Sequence, residues 1–124
     1  MKTDIATKWI DRLRNGNIPQ TSDALGTKDG GRCCLGVLCD IAVEDGIIAK
    51  PTEFEFDGDA VLKYADHWSI LPDAVMQWAG MASDTGSLRN TDSVYSDKEL
   101  TELNDTGMPF SEIADVIESN YDKI

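Results

Sequence analysis

Histidine is almost absent from this chain, and long apolar runs are missing. The 124 residues include one histidine, His67, and three cysteines. A structural zinc site takes cysteine or histidine pairs at short spacings, usually with two residues between partners, whereas these cysteines are separated by zero and four residues. No apolar run approaches the roughly 18 residues that a membrane-spanning helix needs. We therefore expect no metal site, no cofactor and no membrane partner.

Signals for secretion are lacking as well. The N-terminal stretch "MKTDIATKWIDRLRNG" places charged residues among its apolar ones instead of collecting an apolar signal-peptide core. The odd number of cysteines, all within seven residues, does not suit a disulfide framework. Both features predict a cytoplasmic protein.

Basic residues are scarce after residue 50. Residues 1–50 carry seven basic and seven acidic side chains, whereas residues 51–124 carry four and sixteen, so the net charge of −12 belongs entirely to the second part. Such a field repels phosphate and argues against direct binding of nucleic acid or of an anionic membrane surface. A site for an anion would have to be local and built from the first 50 residues.

Hydrophobic periodicity predicts an α+β fold, with one compact domain over residues 1–124 that ends in a helical hairpin. Turn and capping residues set the expected limits of each element. The predicted elements are, in chain order, an amphipathic helix at 4–15, a short strand at 23–27, a buried central helix at 33–45, a β-hairpin of strands 53–56 and 60–64 around Asp57-Gly58, a short helix from Pro72 to Gly80, a polar loop at 82–94, a helix that starts at a Ser96/Glu99 capping box and ends near Gly107, and a last helix at 109–121.

The cysteines lie in the stretch "CCLGVLCD", which is apolar nearly all round when read as a helix. Cys34 and Cys39 would lie about 140° apart on that helix, so they do not easily share an ion. We interpret the thiols as small buried apolar groups. A reactive thiol at the helix N-terminus, with His67 as its base, would instead make a Cys-dependent enzyme or a redox sensor. No catalytic residue is assigned.

The residues Gly30, Gly31 and Arg32 directly precede this buried helix. They supply flexible backbone, N–H groups and a guanidinium at one place, which are the requirements for holding a phosphate or carboxylate. Arg12 and Arg14, in the last turn of the first helix, are expected to converge on the same place. A plain Gly-Gly turn with an exposed arginine is the alternative interpretation.

Several motifs together resemble a family of small proteins of unassigned function found in phage and bacterial genomes. The motifs are Trp9, Leu13, Arg14 and Gly16 followed by Gln20; "CCLGVLCDIA"; Leu71, Pro72, Val75, Trp78 and Gly80; and "LNDTGMPFSEIADVIE". The chain departs from the family at Pro109, where a serine is usual, and at Ile18-Pro19, where an aromatic residue is common. The resemblance implies a phage-encoded accessory protein in the host cytoplasm that acts against host defence.

Two functions follow as hypotheses. The first is non-catalytic sequestration of a small anionic immune signal, such as a cyclic nucleotide or an ADP-ribose derivative. Arg32, Arg12, Arg14 and Arg89 would hold its charge, Gln20 would read a base edge, and Tyr64 or Trp68 would stack on it. The alternative is an acidic inhibitor of a host defence protein, or a DNA mimic, that uses the last two helices. The carboxylates of that face are Asp97, Glu99, Glu102, Glu112, Asp115 and Glu118. A homo-oligomer is compatible with both.

Overall fold

The computed structural model describes residues 1–89, 91 and 93–124, and within them the α+β prediction is confirmed. The described residues form helices and one antiparallel two-stranded sheet. The elements are α1 (Thr3–Asn15), α2 (Cys34–Glu44), β1 (Thr52–Phe56), β2 (Asp59–Lys63), α3 (Asp73–Ala79), α4 (Leu100–Asp105), α5 (Phe110–Asn120) and a final 3-10 turn (Tyr121–Lys123). None of the described helices has the length and apolar character needed to cross a membrane.

Helix α2 is the centre of the core. Its residues from Cys34 to Cys39 are all buried, because α1, α3 and α4 each pack against it. Gly36 is required where the backbone of the preceding loop crosses the helix, since a Cβ there would lie 1.7 Å from the carbonyl oxygen of Leu25. The predicted buried helix is therefore confirmed, and its glycine serves the close approach of a second segment.

Helix α1 lies between α2 and α5 and buries one face against them. Trp9 is fully buried on that face, and its indole N–H donates to the carbonyl of Cys34 over 2.9 Å. This bond satisfies the polar end of a large apolar side chain, as buried tryptophans require. It also joins α1 to the first turn of α2.

Two tight turns shape the hairpin and the segment after it. Asp57 and Gly58, both with positive φ, form a two-residue turn that closes the β1–β2 pair. Ala65 and Asp66 also have positive φ, and Tyr64 and His67 exchange backbone hydrogen bonds across them. This second turn reverses the chain, so that the segment after it returns alongside the sheet.

Two predicted elements are wrong. No strand forms at 23–27, because Asp23 adopts a left-handed conformation (φ 64°) and only single bridges form at Gly26 and Thr27. Ser96 does not cap a helix, because α4 begins at Leu100 with Glu99 as its N-cap. Asp97 and Lys98, just after Ser96, bond instead to the backbone of Leu88, which is fully buried.

Candidate functional site

The proposed anion-binding arginine already has a carboxylate partner. Arg32 Nε lies 2.8 Å from Asp40 Oδ2, and its Nη1 donates to the carbonyl of Gly31. The other oxygen of Asp40 accepts the hydroxyl of Tyr64 over 2.6 Å. The Arg32 side chain is 17% exposed. Its charge is thus neutralised within the chain, and a ligand phosphate would have to displace Asp40.

The backbone N–H groups around this arginine are also bonded. Those of Gly30 and Gly31 donate to the backbone and side-chain oxygens of Thr27. At the start of α2, the N–H of Cys34 donates to Asn104 Oδ1, and that of Gly36 donates to the sulfur of Cys33. The donors that commonly hold an anion at a helix N-terminus are therefore occupied.

The structure corrects the expectation that Arg12 and Arg14 converge on the same place. Residues that are two positions apart on a helix are separated by about 200° around its axis, so the side chains of Arg12 and Arg14 leave α1 in different directions. Arg12 makes a two-point contact with Glu44 of α2, with distances of 2.6 and 3.0 Å. Arg14 bonds to Asp115 at 2.7 Å and to Glu118 at 3.1 Å, both in α5. The two arginines join α1 to the helices on either side.

The remaining predicted ligand residues are dispersed. Gln20 donates its amide to Asn104 Oδ1 and to the carbonyl of Met108, so its amide N–H groups are engaged within the chain. Tyr64 is fully buried, so its ring offers no face to a ligand. Burial, and to a smaller extent the hydrogen bond to Asp40, raises the pKa of its hydroxyl. Arg89 is exposed on the loop that bonds to the C-terminal turn. Trp68 borders one open groove, and Gln20 lines a separate, smaller one.

Asn104, which sequence reasoning did not single out, links several of the family-like motifs. Its side chain is buried and accepts hydrogen bonds from Gln20 and from the N–H of Cys34, each at 3.0 Å. It donates to the carbonyl of Thr21 and to Asp105. The "LND", "CCLG" and glutamine motifs therefore meet at one buried amide, which gives them a structural role. The local signal of this network is that Asn104 follows Leu100 by four positions and so lies on the face that Leu100 and Leu103 bury.

The thiols lie inside the core. Cys33, Cys34 and Cys39 are free and buried. Burial raises the pKa of all three, that of Cys33 to about 11, so they stay protonated near neutral pH. A thiolate nucleophile is therefore disfavoured. Within the described residues, no group of three histidine, cysteine or acidic side chains is arranged to hold a metal ion.

An open groove of about 660 Å³ lies between the segment 21–29 and the β-hairpin. Its apolar wall is made by Phe56 and Trp68, whose ring centroids are 4.3 Å apart with planes inclined at 34°. Phe56 is 48% exposed, an unusual state for a large aromatic side chain. The second tight turn places Trp68 against this strand, although the two residues are twelve positions apart. We call this space the aromatic-acidic groove.

The groove is strongly negative. Four carboxylates line it, those of Asp23, Asp29, Asp57 and Asp59, together with one ammonium group, that of Lys28. Asp29 accepts hydrogen bonds from the Thr27 hydroxyl and from the backbone N–H of Gly31. These bonds, that from Thr27 above all, lower the pKa of Asp29 and keep its carboxylate ionised. Carboxylates beside the electron-rich faces of aromatic rings favour a cation.

Comparison with known proteins gives a family. A family model described as a domain of unknown function (DUF8296) matches residues 1–121 of the chain. No curated protein and no solved structure matches it. The expectation of an uncharacterised family is thus confirmed, while its phage origin stays a prediction.

Proposed function

The chain belongs to the family described as a domain of unknown function (DUF8296), and on that premise we propose that it is a non-catalytic binding protein. Its aromatic-acidic groove captures a basic segment of another protein. The proposal depends on one observation: the exposed Phe56 packs against Trp68 at a ring distance of 4.3 Å, in a groove lined by four carboxylates. Cations bind such aromatic faces with about 0.5–1 kcal/mol at exposed sites, and each neighbouring carboxylate adds a similar amount.

The geometry favours this function over capture of a small anion. Arg12, Arg14 and Arg32 are each held by carboxylates of the chain itself. The groove that contains Trp68 has four negative groups against one positive group, so a phosphate there would meet net repulsion. The one positive group, Lys28 Nζ, already lies 3.6 Å from Glu53 Oε2, so its charge is partly neutralised within the chain.

The geometry also favours the groove over the last two helices as the acidic surface that binds a partner. Asp115 and Glu118 bind Arg14, and Glu102 lies 3.2 Å from Lys98. Asp115 and Glu118 thus join α5 to α1, and all three carboxylates are partly neutralised. The hairpin and the segment 21–29 therefore offer the better surface for a basic partner.

The resemblance to phage and prophage proteins suggests where the partner is found. We propose that the partner is a host defence protein with a basic surface and that the two proteins meet in the host cytoplasm. Long-range attraction between the net charge of −12 and such a surface would raise the association rate and make it sensitive to salt.

The proposal is tested with a dye-labelled peptide of four Arg-Thr repeats, followed by fluorescence anisotropy at low and at physiological ionic strength. We expect binding that weakens about 3-fold to 10-fold in the double variant D57N/D59N, and by a similar factor in Phe56→Ala. Asparagine tolerates the positive φ of residue 57, so the turn is kept.

The matched control is D97N/D11N, which removes two exposed carboxylates outside the groove. Asp97 also has positive φ, so its replacement repeats the backbone setting of D57N. Equal weakening in the control would show that binding follows net charge alone and would reject the groove. Thermal stabilisation by cyclic dinucleotides or cyclic ADP-ribose, without peptide binding, would restore the small-anion hypothesis.

A further inference from the structure

Strand β1 forms one edge of the sheet, and its backbone groups alternate in direction. Phe56 pairs with Asp59 across the two-residue turn, and Phe54 pairs with Val61. In an antiparallel pair, the residues that flank such a turn exchange hydrogen bonds, and every second residue along the strand does so again. The N–H and C=O groups of the intervening Glu53 and Glu55 therefore point away from β2.

The opposite edge of the hairpin shows what such groups do when a neighbour is present. On β2 the outward groups belong to Ala60 and Leu62. Ala60 accepts a hydrogen bond from the N–H of Lys28 over 3.2 Å, and Leu62 donates to the carbonyl of Gly26 over 2.9 Å. The segment 26–28 thus covers the β2 edge.

The β1 edge has no equivalent cover. Within the part of the chain that the structure describes, no backbone hydrogen bond from another segment reaches Glu53 or Glu55. All residues of β1 are exposed except Phe54, which is half-buried. Two N–H and two C=O groups are therefore presented to solvent in strand geometry, an arrangement that readily accepts an added strand.

The charges on β1 determine which strand can be added. A second copy of β1, placed antiparallel and centred on Phe54, would bring Glu53 opposite Glu55, and like charges directly opposite each other destabilise a pair. A segment with lysine or arginine at alternate positions would place positive charges opposite both glutamates. A cation already lies on this aromatic strand, since Lys63 Nζ is 4.5 Å from the ring centroid of Phe54.

We infer that the basic segment binds by adding a third strand to the open edge of β1, with its cationic side chains opposite Glu53 and Glu55. The inference rests on the proposed function and specifies its geometry. Phe56 belongs both to β1 and to the aromatic-acidic groove, so the added strand ends beside the groove. Because alternate residues of a strand point to opposite faces, the cations opposite Glu53 and Glu55 lie away from Phe56, and a cation for the groove comes from the segment beyond the paired residues.

The test uses the unmodified protein and two N-methylated forms of the four-repeat Arg-Thr peptide. In one form the backbone nitrogens of the arginines are methylated, which removes the N–H groups on one edge of the bound strand. In the other form those of the threonines are methylated, which removes the N–H groups on the opposite edge. Both forms keep the charge of the peptide. We expect at least a 10-fold loss of affinity for one form and less than a 2-fold change for the other. In antiparallel addition the damaging set is the arginines.

A protein variant gives a second measurement. Glu55→Pro removes an outward N–H but none of the β1–β2 hydrogen bonds, a position where an edge strand tolerates proline. Its matched control, Glu55→Thr, removes the same charge and keeps the N–H. We expect Glu55→Pro to bind at least 5-fold more weakly than Glu55→Thr.

The outcomes separate the two proposals. If both methylated peptides bind equally, or both variants do, strand addition is overturned, whereas a loss confined to the groove variants would still support the proposed function. If the unmethylated peptide does not bind the unmodified protein at all, both are overturned.

Discussion

Replacement of Asn104 by alanine should destabilise the fold far more than its position on a short helix suggests. The side chain is 2% exposed and makes four hydrogen bonds, two through its oxygen and two through its nitrogen. One partner, the N–H of Cys34, belongs to a residue that is fully buried at the start of α2. Alanine would leave that donor without an acceptor and without access to water.

The cost can be worked out from these contacts. An unsatisfied buried donor costs about 1–3 kcal/mol, and loss of the bond that Asn104 donates to the carbonyl of Thr21 costs about 1 kcal/mol more. Gln20 is exposed and can bond to water instead, so it adds little. We expect the free energy of unfolding to fall by about 2–4 kcal/mol, a large share of the 5–15 kcal/mol typical of a domain.

The assay is urea unfolding followed by tryptophan fluorescence, with the dependence on urea concentration compared between variants. Gln20→Ala is the matched control, because it removes one bond to Asn104 and leaves the Cys34 N–H bonded. Its expected cost is about 0.5–1 kcal/mol. If Asn104→Ala lies within about 1 kcal/mol of this control, the buried amide does not hold the start of α2 and the reasoning is refuted.

Two further predictions concern α2. Gly36→Ala should cost about 3 kcal/mol or more in the same assay, because its Cβ would overlap the carbonyl of Leu25; a stability equal to the parent protein would contradict this close approach. The thiols should not react with a disulfide reagent at neutral pH until urea unfolds the chain. Because burial raises the pKa of Cys33 from its ordinary value of 9.0 to about 11, the folded state binds more protons than the unfolded state between these values. Stability should therefore fall as pH rises above about 9, and a rise there would contradict the burial of the thiols.

Local sequence patterns predicted the elements that depend on near neighbours. The helix expected at 4–15 is found at Thr3–Asn15, and that expected at 33–45 is found at Cys34–Glu44. The hairpin agrees within one residue of each strand end. Periodicity works for the two helices because each buries one face, or nearly its whole surface, along its length. The hairpin follows instead from its turn pair, Asp57 and Gly58.

Patterns failed where a distant segment takes up the backbone. The serine and glutamate at 96 and 99 have the spacing of a capping box, but Asp97 and Lys98 bond to Leu88 and delay the start of α4. The strand expected at 23–27 did not form, because Asp23 is left-handed and the segment bonds to several distant partners, among them the carbonyl of Trp68, instead of to one continuous strand. Propensity cannot anticipate such bonds, because their partners are distant in the sequence.

The sequence by itself determined the fold class, the central buried helix, the buried character expected of the thiols and the uneven distribution of charge. Tertiary structure decided what the charged and polar side chains do. Arg14 meets a carboxylate 101 positions away, and Gln20 meets an amide 84 positions away. The groove likewise exists only because a tight turn returns Trp68 to Phe56. The physical reason is range: periodicity records which face of a segment is buried, whereas a guanidinium, an amide or an exposed ring acquires its role from groups that only the folded chain brings within a few ångströms.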